Sequence, residues 1–389
     1  MGKFISRTIT IALILCSVCF VTYKFYDVSN VEDTSTKNVK QNNMLSMMLE
    51  TGEDSGQYEM TTSSSWPTDG YVFNESLSKC ENGSILSWDD TNKQVVFSGN
   101  ITDKCYVYFD VYAPPSVADY CSSGQTLSSC IITFGNQGFD ISNIYIHDSS
   151  LENGAGDNSY RYAGASADVN NYICLGSSEE TCPADNLYRI IGVFGDNNHG
   201  IKDQQLVKVI KNTSYGLYKW NTTTSNDWAS ASLNETLNTT FKTEKLSGIE
   251  NKIAEVSWRV SGYSTSAATA KTVYTAEIAN ATKKHTAKIG LMYASDYGYA
   301  TTPDYWTTNL FNYGTAAKNK YWLLLGSVEW LLSPNSSHPV RAWYVGSSGF
   351  VDYVSDVTNT SAVRPSFYLS SSVTYVSGDG TQESPIRIN

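Results

Sequence analysis

The chain has 389 residues, room for two or three domains, with 41% hydrophobic residues, only 17% charged residues and a formal net charge of −11. That charge, with no run of Lys and Arg, excludes non-specific nucleic-acid binding, which needs cations to displace counterions. The low charged share, filled by Ser, Thr, Asn, Gly and Tyr, suits an extracellular β-rich protein better than a cytosolic helical enzyme.

Lys3 and Arg7 precede an apolar stretch from Thr8 to Tyr23. Positive charge stays on the cytoplasmic side, which places the N-terminus inside and the remainder outside. As a helix the stretch spans ~24 Å against ~30 Å of hydrocarbon, so it is short. Lys24 can snorkel and let Phe25 and Tyr26 join the interface. No small-x-small cleavage site is evident, and Leu15 before Cys16 and Val18 before Cys19 speak against lipidation. Residues 1–26 therefore read as a single-pass signal-anchor, with a cleaved secretory signal as the alternative. Either way the bulk is exported.

Residues 27–55 are polar apart from MLSMMLE and read as a stalk with a helical turn or two. Residues 56–115 alternate apolar and polar positions between turn residues, the signature of strands and hairpins. SILSW-DDTNK-QVVFS is a hairpin candidate, and the whole reads as a small β-sandwich module ended by Pro114-Pro115. Residues 116–183 read as a loop-rich, disulfide-stapled segment leading into the C-terminal domain. Within it CIITFGNQGF begins like a strand, and the run from Glu152 to Asn171 reads as a long surface loop packed by its tyrosines.

Residues 184–389 are patterned best. LYRIIGVFG and QLVKVIK read as strands. Leu233, Leu237 and Phe241 line one face of a helix starting at Trp228, with Asp227 as its N-cap. KIGLMYA, YWLLLG, VEWLLS, RAWYVG, FVDYV, SFYLS, VTYVS and SPIRI follow as strands. Helices early and short strands late predict an α+β domain.

Two of the eight cysteines, Cys16 and Cys19, lie in the apolar stretch. An even count in an exported chain reads as disulfides, and clustering favours Cys80–Cys105, Cys121–Cys130 and Cys174–Cys182. The spacings are wider than structural zinc sites use, so no metal is expected. The four histidines, His147, His199, His285 and His338, show no zinc-protease spacing, and no Gly-x-Ser-x-Gly elbow is present. Neither a cofactor nor a catalytic residue is assigned.

Four segments carry a resemblance: Trp228, Leu233, Leu237-Asn238 and Phe241; Ile289 to Met292 with Ser295-Asp296; Trp330-Leu331-Leu332-Ser333-Pro334; and Val363-Arg364-Pro365 with Phe367-Tyr368-Leu369. In order and spacing they resemble a domain of unknown function that recurs in exported Firmicute proteins and is similar to the C-type lectin-like fold. The resemblance covers residues 184–389 and implies a lectin-like α+β domain. It departs from the family at Ala231 and Leu332. The calcium-binding triplets of lectins are absent, so calcium-mediated sugar binding does not follow. On physical grounds Trp228 and Trp330 are candidates for burial, and Arg364 should pair with a carboxylate or carbonyls.

Aromatic residues make up 13% of the chain. Residues 293–306 gather Tyr293, Tyr297, Tyr299, Tyr305 and Trp306 with Asp296 and Asp304, the chemistry of a sugar-stacking face. The competing reading is a loop packed down by its own rings. The expected function is a cell-surface binding or adhesion protein with a glycan or protein ligand. The alternatives are a structural envelope or pilus-associated protein and a glycan-active hydrolase.

Overall fold

The computed structural model describes residues 37–38 and 45–389, apart from 54, 68–69, 101, 113, 265–267 and 354. The anchor expected at residues 1–26 and most of the stalk lie outside the described residues. Among the described residues no helix is long and apolar enough to cross a membrane. The chain divides into two compact units, residues 1–114 and 115–389. The described residues of both are mainly β, with short helices in the second unit.

In the first unit two sheets enclose one apolar core built from Met47, Leu86, Val95, Phe97, Cys105, Val107 and Phe109. The strand Cys105–Val111 shows the period of two that this requires: Cys105, Val107 and Phe109 are buried while Tyr106 is exposed. Ile85–Asp89 and Gln94–Ser98 form the expected hairpin. Its turn is built by Asp89, whose carboxylate accepts from the amides of Thr91 and Asn92.

The MLSMMLE segment departs from expectation. Leu45–Glu50 is a strand, parallel to Cys105–Val111 and antiparallel to Tyr58–Met60. Met47 is 1% exposed in the core. The buried Glu50 carboxylate accepts from the amides of Gly56 and Val111. The segment is thus part of the folded module rather than of a stalk. Its one-face apolar set, Leu45, Met47 and Leu49, was long enough for a strand but too short to show as periodicity.

The second unit is organised on a nine-stranded mixed sheet. Leu187–Phe194 and Leu206–Lys211 pair antiparallel at its centre, and every residue of both strands is buried. A bulge between Ile190 and Gly192 interrupts the register. Gly192 is required there, since a Cβ would meet the Tyr160 carbonyl oxygen at 2.1 Å. A five-stranded sheet contains Glu329–Pro334, Ala342–Val345, Val351–Asp352 and Thr360–Val363.

Several expectations are corrected in this unit. Residues 116–183 are not a lead-in: Ile144–Ile146, Tyr160–Tyr162 and Tyr172–Cys174 are strands of the central sheet. CIITFGNQGF does not start a strand: its first six residues end the helix Leu127–Gly135, where Leu127, Cys130, Ile131 and Phe134 bury one face at helical spacing. YWLLLG is irregular, although Tyr321, Trp322 and Leu323 are buried. The segment from Trp228 to Phe241 begins as a 3-10 turn, passes through the short α-helix Ser232–Thr236 and ends in the π turn Leu237–Phe241. Its buried face is the expected one, but Asp227 makes no side-chain cap to the backbone.

Trp228 and Trp330 are buried core residues. Arg364 finds the partners expected of it: its Nε and Nη2 fork onto both Glu329 carboxylate oxygens at 2.7 and 2.8 Å, and Nη2 also donates to the Leu323 carbonyl.

The three expected cysteine pairs stand at disulfide distance, two in the second unit and Cys80–Cys105 in the first. Cys80 and Cys105 are direct cross-strand neighbours. Replacing both by serine is expected to destabilise the first unit by ~2–4 kcal/mol through the freed unfolded chain. Denaturant melts read this, and non-reducing peptide mapping should recover each local pair. A map linking Cys80 to Cys174 would contradict it.

Candidate functional site

The aromatic segment 293–306 does not offer an open face. Tyr293, Tyr297, Tyr299 and Trp306 are all buried, at no more than 1% exposure. Their polar atoms are spent internally. The Tyr297 hydroxyl donates to the Gly349 carbonyl, the Tyr299 hydroxyl to that of Asn153, and the Trp306 indole to that of Thr301. The Tyr293 hydroxyl accepts from the Arg259 amide. Trp306 packs on Tyr145, His147 and Tyr299. Asp304 is exposed and Tyr305 half-buried, but neither lines the cleft described below. The expected ligand face is therefore corrected: Tyr293, Asp296, Tyr297, Tyr299 and Trp306 are core, and only Asp304 and part of Tyr305 reach the surface. Rings of this size, brought near one sheet, gain more by burial than by hydration.

Asp296 is buried for a different reason. Lys208, fully buried in the central strand, donates to its Oδ2 at 2.5 Å, and the amide of Tyr293 donates to the same oxygen. Arg161 stands 3.7 Å from Oδ1 and also donates to Asp157 at 2.9 Å. Asp157 further accepts from Ser159 and from the Asn198 amide. Burial alone would raise the Asp157 carboxyl, but the Arg161 charge and these donors outweigh it and hold it well below the usual range. The four charges cancel: two carboxylates, one guanidinium and one ammonium.

Glu277 extends the network. Its Oε1 accepts from the Ser295 amide at 2.7 Å, and its Oε2 from the Ser333 hydroxyl. Burial pushes its carboxyl up to about 7, against the pull of the Ser295 and Ser333 donors. A folded pKa above the unfolded one means that the proton binds the folded state more tightly. The associated stability is complete below about 4.5 and is lost as pH rises through about 7. At ~1.4 kcal/mol per pKa unit the loss is about 3 kcal/mol. Thermal melts of Glu277→Gln should be flatter than wild type between about pH 5 and pH 8. Parallel profiles would contradict this.

This network backs an open cleft of about 360 Å³. Its lining includes Asp157, Asn197, Arg259, Tyr274, Ala279 and Lys284. Tyr274 ends the helix Ala270–Tyr274, and Ala279 ends the π turn Thr275–Ala279 that carries Glu277. The hydrogen bond from Ser295 to Glu277 thus pins one wall, and the ion pair of Asp157 with Arg161 pins another. Arg259 and Lys284 are opposite residues on paired strands. A larger cleft of about 630 Å³ lies beside the Cys174–Cys182 loop, lined by Lys252, Glu179, Glu180 and Arg387. Arg387 holds that loop through the carbonyls of Ser177 and Glu180.

Of the network, the sequence singled out Asp296, as part of a ligand face, and Ser295 and Ser333 within the resemblance motifs; the residues lining the cleft were not singled out. A signal was present for Lys208, a lysine between Val207 and Val209 in a strand apolar on both faces. No family model, curated protein or solved structure matches the chain.

Proposed function

We propose that this chain is an exported, surface-anchored binding protein, and that its second unit holds a small polar ligand in the cleft between Asp157, Arg259 and Ala279. The observation that carries this reading is a polar cleft, within the ~300–1,000 Å³ range of small-molecule sites, whose walls are fixed by buried charge. Preorganised walls reduce the ordering cost of binding. The three cysteine pairs support an oxidising, extracellular setting. The basic residues before the apolar N-terminal stretch support an anchor with the bulk outside. The motifs from Trp228 to Leu369 support a lectin-like ancestry for residues 184–389.

Binding is better supported than hydrolysis. Glycoside hydrolysis uses two carboxyl groups across a cleft. Among the described residues the lining here carries one, Asp157, whose oxygens are already engaged by Arg161, Ser159 and Asn198.

The test is a glycan array probed with the full chain and with Ala279→Trp. Ala279 is exposed on the cleft wall, so an indole there fills the cleft without entering the core. Wild type should retain a subset of glycans, and the variant should lose them by at least about tenfold with an unchanged melting temperature. Retention unaffected by the indole would contradict the reading.

A further inference from the structure

The protein is acidic, yet the uncompensated charge of this cleft is positive. Arg259 is 8% exposed. Its Nε and Nη2 donate to the carbonyls of Asp196 and Asn197, and its buried Nη1 has no partner among the described residues. Lys284 is exposed and stands directly across the strand pair from Arg259. Among the described residues neither has a carboxylate within ion-pair distance. Like charges facing each other on neighbouring strands destabilise a sheet. A partly desolvated guanidinium without a counter-ion adds to that cost.

The one carboxylate in the lining does not offset them. Asp157 is matched to Arg161, and its oxygens are filled by Ser159, Arg161 and Asn198. That engagement also disfavours a zwitterionic ligand, whose ammonium would find no free acceptor carboxylate. The exposed Asn197 side chain supplies a donor and an acceptor of the kind that hydroxyl groups use.

We propose that the cleft takes a carboxylate-bearing saccharide, its acid group lying between Arg259 and Lys284 and its hydroxyls toward Asn197. This rests on the reading of the cleft as the ligand site. The Nη1 of Arg259, the one guanidinium nitrogen not engaged by the Asp196 and Asn197 carbonyls, is left to donate to the carboxylate, and the Lys284 ammonium offers a point charge beside it. The bound acid relieves the repulsion between the two cations, so ligand and protein stabilise one another.

The experiment is calorimetric titration of the full chain with a panel of uronic and sialic acids and their neutral methyl esters. Wild type, Lys284→Gln and Ala279→Trp are compared. Wild type should bind at least one acid about tenfold more tightly than its ester, and Lys284→Gln should remove most of that difference. Without ligand, Lys284→Gln should melt no lower than wild type, because it removes a like-charge neighbour. Esters bound as tightly as acids, with Ala279→Trp abolishing both, would overturn the acidic ligand while leaving the cleft as the binding site. No binding by any acid in the panel would also overturn it. Loss of the cleft reading itself shows separately, as glycan retention that Ala279→Trp does not change.

Discussion

Replacing Asp296 by alanine is expected to cost the second unit about 3–5 kcal/mol, the usual penalty for breaking a buried ion pair by removing one partner. Lys208 has no exposed surface, and among the described residues its ammonium meets only one carboxylate within ion-pair distance. Burial already pulls the Lys208 pKa down, with Asp296 opposing that pull. Without Asp296 the lysine must either shed its proton or stay charged in an apolar strand. Arg161 loses its second carboxylate in the same step. The contrast is Asp304→Ala in the same segment. Asp304 is exposed, so its loss should fall within about 0.5 kcal/mol of neutral. Chemical denaturation of the two variants side by side checks this, and equal effects would contradict the assignment.

Trp306→Ala is expected to cost about 3–5 kcal/mol as well, by leaving a cavity among Tyr145, His147 and Tyr299. The indole also surrenders its hydrogen bond to the Thr301 carbonyl. A ligand-stacking tryptophan behaves otherwise: its truncation weakens binding and leaves the melting temperature alone. Unfolding free energy measured in denaturant separates the two roles. A variant as stable as wild type would return this residue to the candidate ligand face.

Much of the β architecture was legible because alternation survives in a half-exposed strand. The hairpin of Ile85–Asp89 and Gln94–Ser98 and the strand Cys105–Val111 show it plainly. Central strands were legible for another reason: LYRIIGVF and LVKVIK are apolar on both faces. Arg364 was legible because a buried guanidinium, here between the strands Thr360–Val363 and Ser366–Tyr368, needs a carboxylate, and Glu329 supplies it. The helix Leu127–Gly135 was missed because Ile131, Ile132 and Thr133 are β-branched, and packing overrode that local preference.

The site was hardly legible. Its parts, Asp157, Asn197, Arg259, Tyr274 and Lys284, come from distant stretches of chain and meet only through the sheet and the strand pair Val256–Arg259 with Lys284–Ala287. The density of aromatic residues at 293–306 pointed elsewhere. Composition reports that rings are plentiful; which side of the sheet they fill depends on tertiary packing. Lys208 was the available clue, since a lysine amid valines in a doubly buried strand demands a buried carboxylate. Following it leads to Asp296, then Arg161, then Asp157 at the cleft wall.

Residues 293–301 and Trp306 are core, and the proposed place of recognition is the cleft. Native-state hydrogen exchange of the full chain tests that burial most directly. The amides of Tyr293, Ser295 and Tyr299 are bonded to Asp296, Glu277 and Ser295 and lie in buried residues. They should exchange only through global opening of the second unit, with protection near its full unfolding free energy. Exchange of these amides on the fast time scale of exposed loops would contradict the account.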